Sequence, residues 1–120
     1  MVYTAESQSL AALEMLVHLE AQELLTHYVV FQVSFEKALV KDVDTPLPKG
    51  WDAEPVPRSA QAVGDQWCRE AASSILRVPS AIVLSENNYL LNPRHRQFDK
   101  VEIAKPAPFR VHHRLRAKLK

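Results

Sequence analysis

Glycine is scarce in this chain of 120 residues: there are two, Gly50 and Gly64, and neither stands in a glycine-rich run. That excludes a P-loop and a Rossmann loop, which need several glycines to bring backbone N–H groups up to a phosphate. Cysteine is scarcer still. With Cys68 alone an internal disulfide is impossible, and the five histidines are too scattered to form a set at zinc-ligand spacing, so no metal site is expected. HExxH, CxxC and GxSxG motifs are all missing. No apolar run approaches the roughly 20 residues that span a bilayer. The start has no basic region followed by an apolar run, so the cytoplasm is the expected compartment. A formal charge of +1 provides no global field that would draw nucleic acid or an anionic membrane surface.

What the chain does have is enough apolar content, 47% of its residues, to build one core. A single α+β domain over residues 1–120 is expected. The first stretch, MVYTAESQSLAALEMLVHLE, carries the strongest local signal. Residues 7–20 lack Gly and Pro and should form a helix, with Thr4 or Ser7 capping its free N–H groups. Leu10, Ala12, Leu13, Met15, Leu16, Val17 and Leu19 spread around most of its circumference, so the helix is expected to be buried. One narrow stripe differs: Ser7, Ala11, Glu14 and His18 fall together. A carboxylate on a buried helix is costly unless it is paired or lines a cleft, so Glu14 reads either as a structural ion-pair partner or as a functional group.

Further along, residues 27–36 (HYVVFQVSFE) read as a strand with Val29, Phe31, Val33 and Phe35 on its core face, and residues 38–43 as a second, short one. Pro46, Pro48, Pro55 and Pro57 make 45–57 a loop, with Trp51 expected to pack onto something. A second helix should begin at Ser59 as cap and bury the stripe Ala60, Val63, Gly64, Trp67, Cys68 and Ala71. Gly64 within that stripe costs about 1 kcal/mol relative to alanine, which points to a close approach to a strand. Residues 75–84 (ILRVPSAIVL) read as a strand whose apolar face, Leu76, Val78, Ile82 and Leu84, is interrupted by the hydroxyl of Ser80. Pro79 beside it calls for a sheet edge or a bulge, where a side chain can be re-aimed toward a pocket. The plainer alternative is that Ser80 bonds a nearby backbone carbonyl. Residues 85–99 read as polar, with a turn at Asn92-Pro93, followed by short strands at 101–103 and 109–111 and a basic tail.

Taken together, VYTAES and SLAALEMLVHL at the start, then LPKGW, QAVGDQW, LRVPSAIV and NYLLNPRH in that order, resemble the RES-domain family of bacterial toxins over nearly the whole chain. The resemblance implies an α+β fold similar to the ADP-ribosyltransferases. It also implies a toxin of a type II toxin–antitoxin pair that breaks the nicotinamide–ribose bond of NAD, as a hydrolase or phosphorylase or by ADP-ribosyl transfer. By the same resemblance Glu14 matches the family's glutamate, Ser80 its serine and Tyr3 its tyrosine. Glu14 and Ser80 are then the implied catalytic residues, and Tyr3 and Ser80 the residues that hold NAD.

Those residue types suit the chemistry. Departure of nicotinamide builds an oxocarbenium-like cation on the ribose that a fixed carboxylate can stabilise, a tyrosine ring can stack on nicotinamide, and a serine hydroxyl can bond its amide or a phosphate. Relatives of the family carry the arginine of its name ahead of the position of Met1, so the resemblance further implies an N-terminally truncated domain whose activity depends on that arginine segment. The implied partner is an Xre-like antitoxin, with no membrane and no direct nucleic-acid contact. An alternative of a different class is a non-enzymatic remnant that binds the antitoxin, or nucleic acid through Arg110, Arg114, Arg116, Lys118 and Lys120.

Overall fold

The structure, a computed structural model, describes residues 1–18, 28–53 and 57–109. Its centre is a four-stranded sheet built from β1 (Val2–Ala5), β4 (Val40–Asp42), β5 (Ile75–Pro79) and β6 (Asn87–Leu91), in the order β1-β6-β5-β4. β6 runs antiparallel to both β1 and β5, and β4 joins β5 in parallel. Two further short pairings, β2 (Val29–Val30) with β8 (Ala107–Pro108) and β3 (Val33–Ser34) with β7 (Glu102–Ile103), form an antiparallel ribbon beside this sheet. Among the described residues the α-helices are α1 (Gln8–His18) and α2 (Arg58–Glu70). Mixed strands and helices of this kind make the fold α+β, as expected.

Side chains opposite one another in antiparallel strands share a face, so the register assigns residues to the two sides of the sheet. Leu76, Val78, Asn88, Leu90, Tyr3 and Ala5 lie on one side. There Trp67 of α2 packs on Leu76 and Leu90, and each such buried side chain contributes about 1.5–3 kcal/mol. On the other side Ile75 and Leu91 join Leu39 and Val101. Gly64 meets β6 closely, as its place in the apolar stripe implied: a Cβ there would lie 3.4 Å from Leu90 Cδ1.

α1 begins where its sequence predicts. Ser7 Oγ accepts the Leu10 N–H at 3.1 Å, and the Ser7 carbonyl takes the first helical bond from Ala11 at 3.0 Å. Thr4, the other candidate cap, sits in β1 and donates to the Tyr89 carbonyl instead. The helix is less buried than its composition implied, since Leu13 is exposed and Met15 and Leu16 are half-buried, while Leu10 is fully buried. α2 starts at Arg58 with Pro57 as cap: its fixed φ suits a helix start, and its carbonyl takes the first bonds, from Ala60 and Gln61. The expected cap Ser59 therefore falls inside the helix.

Three expectations about strands are corrected. The strand over 27–36 is two short pieces, and its register slips by one residue between the β3 and β2 pairings. The cause lies in the partner, where Pro106 and Pro108 have no N–H to donate. Val29 and Phe31 consequently stay exposed while Val33 and Phe35 reach the core. The strand over 75–84 ends at Pro79, and Ile82 and Leu84 stand in solvent. Residues 87–91, read from their polarity as irregular, form β6, the strand that holds the sheet together. Around them, the 38–43 strand shortens to β4 behind a 3-10 turn, and Asn92 makes the expected turn by accepting the Arg94 N–H on its side chain. Glu20, Leu19, His27, Val111 and the basic tail lie outside the described residues.

At the end of α2, Ala71 adopts φ 50° and ψ 40°, the left-handed conformation that costs an L residue about 1–2 kcal/mol and that glycine adopts freely. Ala71 is exposed, so no packing offsets that cost. We expect Ala71→Gly to stabilise the fold by about 1 kcal/mol, read as a higher urea midpoint at unchanged slope. A lower midpoint would mean that the alanine methyl contributes packing after all.

Candidate functional site

β1 runs directly into α1 through Glu6 and Ser7, and this short link folds the helix back over the end of the sheet. The link is fastened to the turn that leaves β5 and enters β6. Ser7 Oγ donates to Glu86 Oε1 at 2.7 Å, Glu6 Oε1 accepts the Asn87 N–H at 2.9 Å, and the Glu86 carbonyl accepts the Ser80 N–H at 2.9 Å. Those bonds bring residues from opposite ends of the chain to one place. Glu14 from the second turn of α1, Tyr3 from β1, Ser80 from the end of β5 and Asn88 from β6 form a single hydrogen-bonded cluster.

At its centre is Asn88, which is wholly buried. Its Nδ2 donates to Glu14 Oε1 at 2.7 Å and to the Thr4 carbonyl at 3.1 Å, and its Oδ1 accepts the Tyr3 hydroxyl at 2.7 Å. Ser80, also wholly buried, accepts the N–H groups of Ile82 and Val83 on Oγ, each at 3.1 Å. A hydroxyl has two lone pairs and one proton, so Ser80 is left to act as a donor. The acceptor it faces is Glu14 Oε1 at 3.5 Å, the limit of a hydrogen bond. The backbone partners of Ser80 are thus N–H groups and not the carbonyl that the plainer reading of the strand proposed.

The three residues singled out from the sequence, Tyr3, Glu14 and Ser80, are therefore neighbours. Asn88 is the member that sequence reasoning missed. A signal was available, since Asn88 stands in step with Leu90 on one face of a strand just as Ser80 stands in step with Leu76 and Val78. The polarity of NNYLL conceals that signal, because it hides the strand itself. Asn92 and Arg94 do not join the cluster: Asn92 donates to the Cys68 carbonyl at the end of α2, and Arg94 is exposed.

Tyr3 is half in and half out. The residue as a whole is 59% exposed, while its hydroxyl turns inward to Asn88. Desolvation of that end, and next the nearby charge of Glu14, push the hydroxyl up to about 12. An open cleft of about 1180 Å³ lies between β1 and the ribbon, lined by apolar residues such as Phe31, Phe35 and Ile103 and by the polar Glu6, Gln8, Gln32 and Lys105. Tyr3 borders it, whereas Glu14, Ser80 and Asn88 are not part of its lining. Among the described residues no three His, Cys, Asp or Glu side chains are grouped to hold a metal ion. Nor is any described helix long and apolar enough to cross a membrane.

Comparison with known proteins shows the family. Residues 1–112 match the RES domain, and the chain belongs to that family. A curated relative named Toxin Res, from Yersinia enterocolitica, is 39% identical over 100 residues, covering 81% of this chain and 64% of the relative. A Prs ADP-ribosylating toxin from a Sphingobium species is 45% identical over 98 residues, covering 78% and 61%. Toxin Res from Photorhabdus laumondii is 41% identical over 118 residues, covering 95% and 74%. The chain thus spans a little under two thirds of the first two relatives.

Two outcomes follow from the geometry. A phenol with a folded midpoint near 12, against 10.0 in the open chain, holds its proton more tightly when folded. Its contribution to stability is complete below pH 10 and is lost as pH rises through about 12, and Tyr3→Phe should remove that phase from a stability–pH curve. A midpoint of 10 for Tyr3 would contradict the inward hydroxyl. For Ser80→Ala, two backbone N–H groups lose their shared acceptor, and we expect a loss of about 1–3 kcal/mol in denaturant unfolding. A neutral result would show that water or the main chain replaces it.

Proposed function

We propose that this chain is the major part of a toxin domain that acts on NAD by breaking the bond between nicotinamide and ribose. The observation that carries the reading is the convergence of Glu14, Tyr3, Ser80 and Asn88 in one hydrogen-bonded cluster, in a chain whose relatives are named toxins, one of them an ADP-ribosylating toxin. In the proposed reaction the C–N bond breaks with its electron pair leaving on nicotinamide, which departs neutral. The ribose carbon becomes electron-poor, and an acceptor oxygen, from water, phosphate or a protein side chain, supplies the pair for the new C–O bond and releases its proton to solvent.

Each residue has a role that its chemistry allows. Glu14 is the fixed negative charge beside the developing cation and an acceptor for sugar hydroxyls. The exposed residue Tyr3 offers its ring as a stacking surface for nicotinamide. Ser80, with both lone pairs engaged, donates: to Glu14 as the site stands, or to an amide carbonyl or phosphate oxygen of the bound molecule. The pyrophosphate needs a cation, and the arginine segment that the family resemblance implies ahead of Met1 would provide a bidentate one. An antitoxin protein is the proposed partner and the cytoplasm the proposed setting, since NAD is consumed there.

The test is nicotinamide release from NAD, measured for this chain and for the chain extended by the arginine segment. Glu14→Gln keeps an oxygen for Asn88 and the same shape, so circular dichroism should be unchanged while the rate falls by about 10²-fold or more. Equal rates for the two proteins would make Glu14 a structural hydrogen-bond partner and remove the basis of the reading.

A further inference from the structure

The orientation of the Asn88 carboxamide follows from its neighbours alone. One end of the amide faces two acceptors, Glu14 Oε1 at 2.7 Å and the Thr4 carbonyl at 3.1 Å. Only the NH₂ group can satisfy both, because the reverse orientation would set a carbonyl oxygen against a carboxylate and another carbonyl. Oδ1 therefore points at Tyr3, 2.7 Å away, and since a carbonyl oxygen can only accept, the tyrosine must donate its single proton there. Proton positions across the cluster are thereby settled without being seen. Asn88 gives two protons and takes one, and Tyr3 gives its only one inward.

We infer that Asn88 is a positioning residue: its buried carboxamide ties Glu14 of α1 to Tyr3 of β1, and makes the Tyr3 hydroxyl present lone pairs rather than a proton to whatever occupies the site. The consequence for recognition is specific. A molecule seated between Tyr3 and Glu14 meets acceptors on both, so it must bring donors such as sugar hydroxyls or an amide NH₂ and is disfavoured if it brings only acceptors. Asn88 does this from β6, whose backbone is paired on both sides, so it is fixed more firmly than either residue it holds. Among the described residues no other has this reach. Thr4 contributes only its carbonyl, and Ser80 touches Glu14 but not Tyr3.

Two measurements decide the matter, the first on this chain and the second on the chain extended by the arginine segment. The first needs no turnover and follows Tyr3 through its titration by NMR of ring-labelled tyrosine. In the wild type, Glu14→Gln should lower the Tyr3 midpoint from about 12, because a charge nearby is removed. With Asn88→Leu the burial of the hydroxyl remains but the bonds that hold Tyr3 and Glu14 together are gone, so the downward shift produced by adding Glu14→Gln should be smaller than in the wild type. A Glu14 effect of undiminished size in Asn88→Leu overturns the inference.

The second measurement rests on the NAD reading above and uses Asn88→Asp, which keeps the shape but replaces two donor protons by an acceptor facing Glu14. A cooperative thermal transition with kcat reduced about 10²-fold and KM changed less than about threefold is expected. The double variant with Glu14→Gln should be no slower than Glu14→Gln alone, because Asn88 acts through Glu14. Additive losses, or a kcat within about threefold of wild type, overturn it. If no variant and no wild type releases nicotinamide while the Tyr3 linkage behaves as described, the NAD reading fails and the assignment of Asn88 stands.

Discussion

A single buried carboxamide sets the terms for the rest of this structure. Asn88 lies fully inside the protein on a sheet face that is otherwise apolar, between Leu90 on its own strand and Val78 opposite. An amide in that position costs about 1–3 kcal/mol for each polar atom left without a partner. The fold meets the requirement from three directions at once: the backbone of β1, the hydroxyl of Tyr3 and the carboxylate of Glu14. The return of α1 over the sheet is thereby coupled to β6. Moving the helix by a turn would orphan the amide and bury a carboxylate beside no donor.

The two sides of the sheet differ accordingly. Against Ile75 and Leu91 the chain packs an ordinary hydrophobic cluster completed by Leu39 and Val101. The Asn88 side is apolar where α2 covers it with Trp67 and polar where α1 crosses. Tyr3 belongs to both features: its hydroxyl joins the cluster and the residue borders the groove beside β1.

Much of this was legible in the sequence where a residue broke the pattern around it. Glu14 on an apolar helix and Ser80 on an apolar strand are such breaks, and both belong to the cluster. Ser7 as a cap and Asn92-Pro93 as a turn follow from local chemistry, which tertiary structure rarely overrides. What the sequence hid depends on pairing across the chain. Residues 87–91 look polar because NNYLL mixes two asparagines with its apolar residues, yet they form the middle of the sheet, and Asn88 went unnoticed with them. The strand over 27–36 alternates well by itself, but its partner carries Pro106 and Pro108, and no property of the first segment reveals that its ladder is interrupted. Exposure of Leu13, Ile82 and Leu84 escaped for a similar reason: composition shows that a residue is apolar, not whether another element arrives to cover it.

The central claim is that the cluster around Asn88, and not the groove between β1 and the ribbon, is where a ligand is recognised. The most direct test is an NMR titration of the ¹⁵N-labelled chain with NAD, following the side-chain NH₂ resonance of Asn88 together with the backbone amides. The account predicts that this buried NH₂ group shifts, along with the amides of Ile82 and Val83 that bind Ser80, because each reports directly on Glu14 or its neighbour. Shifts confined to groove residues such as Phe31, Phe35 and Ile103, with the Asn88 resonance unmoved at saturation, would contradict it.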